Sequence, residues 1–329
     1  MRRREFLRAL SGLAVLRPLA VRAQQSERLR RIGILMPFAP EQAEPQERVR
    51  AFKEELRKRG WAAGINVQFE ERWTADNMDL IRSAAADLVA LTPEAILAVG
   101  GRVIPILMKL TRTIPIINPG GSDPVERGYA DSLAHPGHNV TGFATMEISI
   151  IGKMLQVLKE IAPNVKHVTM IFNPDNRVTP LFARIFESAA APLGIEPATA
   201  QIHNLSDVER VVAETAAKPD GGVLFPPDIT IELLAKQIVA VVARNQLPAI
   251  YSLRSFVRSG GLIYYGADRL DQYRGCATYV DRILRGEKAG DLPYQQPTKY
   301  ELVINMKAAK TLGLSVPQRL LFTADEVVE

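Results

Sequence analysis

Val165-Lys-His-Val-Thr-Met-Ile-Phe-Asn-Pro174 is a short apolar run closed by proline, and it repeats Arg31-Ile-Gly-Ile-Leu-Met-Pro-Phe-Ala-Pro40 near the start of the chain. The likeness extends outward from both runs. Pro40, Phe52 and Gly60 recur as Pro174, Phe186 and Gly194, each displaced by 134 residues. Further on, Thr113-Ile-Pro-Ile-Ile117 stands beside Gln246-Leu-Pro-Ala-Ile250 at an offset of 133. One βα plan has been used twice.

The periodicity predicts the same order of elements in each half. In the first, strand Arg31–Met36 leads to a helix over Pro45–Arg59, where Val49, Phe52 and Leu56 fall on one face and Gly60 stops it. Strand Ile65–Arg72, helix Asn77–Leu91, strand Ala95–Val99, helix Val103–Thr111 and strand Ile114–Asn118 follow. The second half replays this as strand Val165–Phe172, helix Pro180–Leu193, strand Ile195–Ile202, helix Ser206–Ala217, strand Gly222–Phe225, helix Ile229–Asn245 and strand Ala249–Tyr251. Ser206-Asp-Val-Glu209 has the spacing of a capping box. Strands alternating with helices of this length form parallel βαβ units, and about 300 residues exceed a single core. The predicted fold class is therefore α/β, with two similar doubly wound parallel-sheet lobes joined by a multi-segment hinge.

Three stretches look like crossings between lobes: Asn139–Thr145, Gly260–Gly266 followed by helix Leu270–Leu284, and Gly286–Pro297. They place lobe I at 29–143 plus 262–290, and lobe II at 144–261 plus 291–329.

The first 23 residues have a basic head, Met1–Arg8, an apolar body, Ala9–Ala20, and small residues up to Ala23. That is the layout of a cleaved secretory signal, of twin-arginine type (Arg3-Arg4-Glu-Phe6-Leu7) or general secretory type. Six arginines and one glutamate lie there, so the remainder of the 41 basic and 36 acidic residues is 35 of each. The mature part is neutral, and the formal +5 gives no reason to expect nucleic acid as a partner. No apolar run approaches the roughly 20 residues that span a bilayer, so no membrane insertion is expected after export to the periplasm.

In parallel sheets, ligands collect beyond the carboxyl ends of the strands. Those loops are Pro37–Pro40, Gly100-Gly101, Asn118–Asp123, Asn173–Arg177, Pro226–Thr230 and Ser252–Ser255. The ligand-binding candidates they supply are Phe38, Gly100, Gly101, Ser122, Asp123, Asn173, Asn176, Asp228 and Tyr251, with Tyr265 from the second crossing. Asp123 and Asp228 could hold an ammonium, although Asp123-Pro-Val-Glu126 equally spells a helix start. The aromatic rings could stack on a flat ligand or simply pack. Gly100-Gly101 admits close backbone approach to a carboxylate or makes a turn.

Enzyme motifs are missing: no dinucleotide or nucleotide glycine loop and no Gly-x-Ser-x-Gly elbow occur. His135 and His138 flank a Pro-Gly turn with no cysteine near, so neither metal nor cofactor is expected. Cys276, the one cysteine, reads as a small buried apolar residue.

The chain resembles the solute-binding proteins of bacterial ABC importers, a branch of the type I periplasmic binding protein fold that includes tryptophan- and tyrosine-type binders. The resemblance rests on Asp123-Pro-Val, Ser132–Gly142, Leu247-Pro-Ala-Ile-Tyr251, Gly260–Gly266, Tyr279–Gly286, Gln296–Leu314 and Ala324–Glu329. At the cleft, Asn118-Pro-Gly-Gly-Ser122 departs from the family's usual apolar strand end. The resemblance implies a non-enzymatic carrier of a small molecule, an amino acid or other small carboxylate, delivered to an ABC permease and its ATPase. A sensory binding protein serving a membrane receptor, or an exported enzyme on the same fold, would carry the same pattern.

Overall fold

In a computed structural model of the protein, the described residues are 29–121, 124–144, 149–175 and 178–329. The expected signal segment, Ser122, Asp123 and Asn176 lie outside them.

The first half builds β1 (Arg30–Met36), α1 (Ala43–Lys58), β2 (Val67–Trp73), α2 (Met78–Ala90), β3 (Ala95–Ala98), α3 (Val103–Leu110), β4 (Ile116–Gly121) and β5 (Val140–Ala144). Its strands form one parallel sheet in the order β2-β1-β3-β4-β5. β1 shows why the run is apolar throughout. Ile32, Ile34 and Met36 pack on one face, while Leu35 packs on the other, because successive strand residues point to opposite sides and both are covered. On α1, Val49, Phe52 and Leu56 are essentially inaccessible to water, each worth about 1.5–3 kcal/mol against exposure.

The second half follows with α4 (Ile150–Ile161), β6 (His167–Phe172), α5 (Thr179–Ala190), β7 (Glu196–Gln201), α6 (Leu205–Ala216), β8 (Gly221–Phe225), α7 (Ile229–Leu233), α8 (Ala235–Arg244), β9 (Ala249–Tyr251), α9 (Arg254–Arg258) and β10 (Ile263–Ala267). The chain closes with α10 (Arg269–Leu284), β11 (Tyr300–Asn305), α11 (Met306–Thr311), α12 (Gln318–Thr323) and β12 (Glu326–Val328). The second sheet runs β7-β6-β8-β9-β10-β11-β12, with β11 antiparallel to β10. Its first five strands repeat the order of the first sheet, so the sequence repeat is a structural one.

Two local expectations shift. α6 is capped by Asn204, whose side chain accepts from the Asp207 N–H, while Asp207 accepts from the His203 N–H at 2.8 Å. The capping pair therefore sits two residues before the Ser206/Glu209 pattern. The single helix expected over Ile229–Asn245 is two helices, parted at Leu234.

The lobe boundaries also shift, because each lobe lends the other a helix. β5 belongs to the first sheet, yet α4 after it packs in the core of the second lobe with α5. β10 belongs to the second sheet, yet α10 after it packs on α1, placing Tyr273, Cys276 and Val280 beside Phe52. Residues 262–267 thus lie in lobe II, and the second crossing falls at Ala267–Asp268. The third also comes later. Gln295 still pairs with the first sheet, accepting from Ala144 N–H and donating to Gly142 O at 2.8 and 3.0 Å. Asp268 N–H donates to Lys299 O at 3.0 Å, tying two crossing segments together.

Gly142, on β5 at the edge of this hinge, has φ +146° and lies against the Asn118 backbone. A methyl group there would run into the Asn118 carbonyl oxygen. Gly142→Ala should therefore cost about 3 kcal/mol or more through strain and overlap. A urea midpoint within experimental error of wild type would refute this.

Candidate functional site

A cavity of about 190 Å³ lies between the lobes at the carboxyl ends of both sheets. It is built by the turns after β3, β4, β6, β8 and β9 and by the first residue of α10. All but one of the loops expected from the sequence contribute to it. The exception is Pro37–Pro40.

Lobe I presents guanidinium groups. Arg102 is held by Asp76 at 2.9 Å. Arg127 and Arg269 lie across two glycines: a Cβ on Gly101 would come 2.8 Å from Arg127 Nη1, and one on Gly120 would come 2.5 Å from Arg269 Nη1. At these two positions a side chain would push the guanidinium off the backbone on which it lies. Asn118 closes its own turn by accepting from Gly120 N–H at 3.2 Å.

Lobe II presents carboxylates and hydrogen-bonding groups: Asn173, Asp175, Asp228, Thr230 and Glu232. Asn173 fastens this wall. Its Oδ1 accepts from Asp175 N–H at 3.0 Å, and its Nδ2 donates to Thr230 Oγ1 at 3.1 Å. Asp228 caps α7, accepting from the N–H groups of Thr230 and Ile231 at 2.8 and 3.2 Å. The short α7 thereby delivers Glu232 to the floor of the cavity.

Glu232 reaches across to lobe I. Its carboxylate accepts from Arg48 Nη2 at 2.7 Å, and the same nitrogen bonds Glu44 at 2.7 Å. Arg48 is fully buried, with its guanidinium carbon 5.8 Å from the centre of the Phe38 ring. Burial works against its charge, but Glu232 and Glu44 together outweigh that effect and raise its pKa. A second pair between the lobes, Arg258 to Glu47 at 2.9 Å, lies nearer the surface.

The structure sorts the sequence candidates. Gly100, Gly101, Asn173 and Asp228 come together around the cavity. Phe38 is buried beneath Arg48. Tyr251 is one of three mutually packed buried rings, 5.4 Å from Phe225 and 4.5 Å from Phe256 between centroids, with those two 6.1 Å apart. Tyr265 is half-buried on β10 and stacks on Tyr300 at 6.0 Å. These three rings pack within the lobes. Sequence reasoning missed Arg102, Arg127, Arg269, Thr230 and Glu232. Thr230 was the most legible of these, since it closes the Pro226–Thr230 loop expected at the cleft. Cys276 is buried among Tyr273 and Ala277, and burial pushes its thiol well above the ordinary range.

The family of ABC transporter substrate binding proteins matches this sequence over residues 41–328. The chain belongs to that family. This binding protein is 27% identical over 266 residues to the "Tyrosine-binding protein" of Clostridioides difficile, a match spanning 80% of this chain and 76% of that one. Among solved structures it resembles a conserved domain protein from Vibrio cholerae, at 25% identity and TM-score 0.82, covering 91% of this chain and 100% of that one. It also resembles an ABC domain in complex with L-Trp from Streptococcus pneumonia, at 21% identity and TM-score 0.83, covering 92% and 100%. The two parallel-sheet lobes of this binding protein are those of the type I periplasmic binding fold. Among its described residues, no helix is long and apolar enough to cross a membrane.

Proposed function

We propose that this protein is the exported solute-binding component of an ABC importer, holding an amino acid or other small carboxylate between its lobes for a membrane permease and its ATPase. The carrying observation is the division of the cavity by charge. Arginines line the lobe I wall, and Asp175, Asp228 and Glu232 line the lobe II wall. A zwitterion satisfies both walls only when the lobes are together, so it favours the closed form by its differential affinity. The permease then reads closure as a sign of cargo. The leader-like residues 1–23 support export, and the matched relatives, being binding proteins, support a carrier over an enzyme.

The relative named for tyrosine and the neighbour holding L-Trp make these amino acids the first to test. Tyr129 is the aromatic side chain that the described cavity wall offers them. In a thermal-shift screen of the purified protein, a cognate amino acid at a hundredfold excess over Kd should add about 2.7 kcal/mol of stability. Stabilisation by neutral sugars alone would keep a solute-binding protein and overturn the amino-acid or carboxylate cargo.

A further inference from the structure

We infer that Arg269 is the residue that holds the acid group of the ligand, seated on Gly120 and set at the hinge. The inference rests on the solute-binding reading and adds to it the atom group that is recognised and the residue that recognises it.

Among the described residues three guanidinium groups line the cavity, and they are not equivalent. Arg102 is occupied by Asp76, and Arg127 has partners of its own. Arg269 makes one hydrogen bond among the described residues, a long one of 3.2 Å from Nη1 to the neutral Gln272. Among the described residues its Nε is buried with no hydrogen-bond partner, and no carboxylate pairs with it. A desolvated guanidinium with no counter-charge is costly, and a fork of N–H donors matches a carboxylate in shape. Gly120 provides the seat, since any side chain there would displace Nη1.

The surroundings sharpen this. Burial, and then the charge of Arg48, both press against the charge of Arg269 and lower its pKa, with Glu232 opposing them. Two cations thus share one region on lobe I, and the nearby carboxylate from lobe II, Glu232, is already bonded to Arg48. An acid group on Arg269 supplies the missing negative charge. It does so two residues after the crossing at Ala267, on the first residue of α10. Binding therefore relieves repulsion at the seam that closure buries. Ligands with a free carboxylate should be preferred over the same skeletons bearing an amide.

The test compares wild type, Arg269→Gln and Gly120→Ala by thermal shift and calorimetry. The probes are L-tyrosine, L-tryptophan, L-glutamate and benzoate, with L-tyrosinamide and L-tryptophanamide as neutralised forms. Wild type should bind at least one acid about 10- to 100-fold more tightly than Arg269→Gln does. The amides should bind wild type and Arg269→Gln alike. Gly120→Ala, which keeps the charge but displaces it, should also weaken the acid. Without ligand, Arg269→Gln should melt no lower than wild type, because it removes a like-charged neighbour of Arg48, whereas loss of a purely structural arginine would lower the melting temperature.

Acid binding that survives Arg269→Gln at wild-type strength overturns the inference and leaves the binding protein intact. Amides that bind wild type as tightly as the acids do the same. Stabilisation by none of the acids, with a neutral solute active instead, removes the carboxylate from the reading altogether.

Discussion

Arg48→Ala should destabilise the protein by about 3–5 kcal/mol, the cost of stranding buried carboxylates by removing their shared cation. Glu44 and Glu232 both bond the same Arg48 nitrogen, and their side chains are 14% and 9% exposed. Neither can turn to water without breaking the packing of α1 or α7. The substitution also removes the deepest link between the lobes, leaving the more exposed Arg258–Glu47 pair, which is worth about 1 kcal/mol or less. Ligand-free Arg48→Ala should therefore shift toward open forms, seen as a larger radius of gyration in solution scattering. The triple change Glu44→Gln, Arg48→Met, Glu232→Gln removes the charges together and should regain most of the lost stability. If the urea midpoint of Arg48→Ala moves by less than the equivalent of 1 kcal/mol, the cluster does not hold the lobes as described.

Tyr251→Ala should lose about 3–5 kcal/mol as well, for a different reason. The ring is 1% exposed and lies nearly parallel to both neighbours, at 12° to Phe225 and 14° to Phe256. Its removal leaves a cavity beside Phe225 and Phe256, which β8 and α9 hold in place and which already pack on each other at 6.1 Å. Burial raises the phenol pKa, so the group stays neutral through the physiological range. Tyr251→Phe keeps the stack, and should leave ligand affinity unchanged. A tenfold loss of affinity in Tyr251→Phe, with normal stability, would return this residue to the binding site.

The two tyrosines expected at the site show where sequence reading stops. Tyr251 ends a strand at the cleft and Tyr265 lies in the stretch that the sequence marks as a crossing, so by sequence both have the right address. Whether a ring at such an address points into the cleft or into the sheet depends on strand parity and on what packs above it. Here Phe256, from a five-residue helix that no periodicity announces, captures Tyr251.

The sequence alone determined the repeat, the parallel sheets, the polar glycine-rich loops and the family. These follow from local rules: apolar runs of strand length, apolar faces at helical spacing, and turns at Gly and Pro, each legible within about twenty residues. It also located Gly100, Gly101, Asn173 and Asp228 at the cavity, because ligands gather at strand ends in any such sheet. Tertiary structure alone decided the exchange of α4 and α10 between lobes, since neither helix carries a mark of which core will bury it. It alone decided the charge of the two walls. Arg269 and Glu232 are ordinary helix residues in the sequence, and the fold brings them to one cavity from opposite lobes. Charges that meet only across a hinge have no local pattern, because their energy depends on a distance set by the closure of the whole molecule.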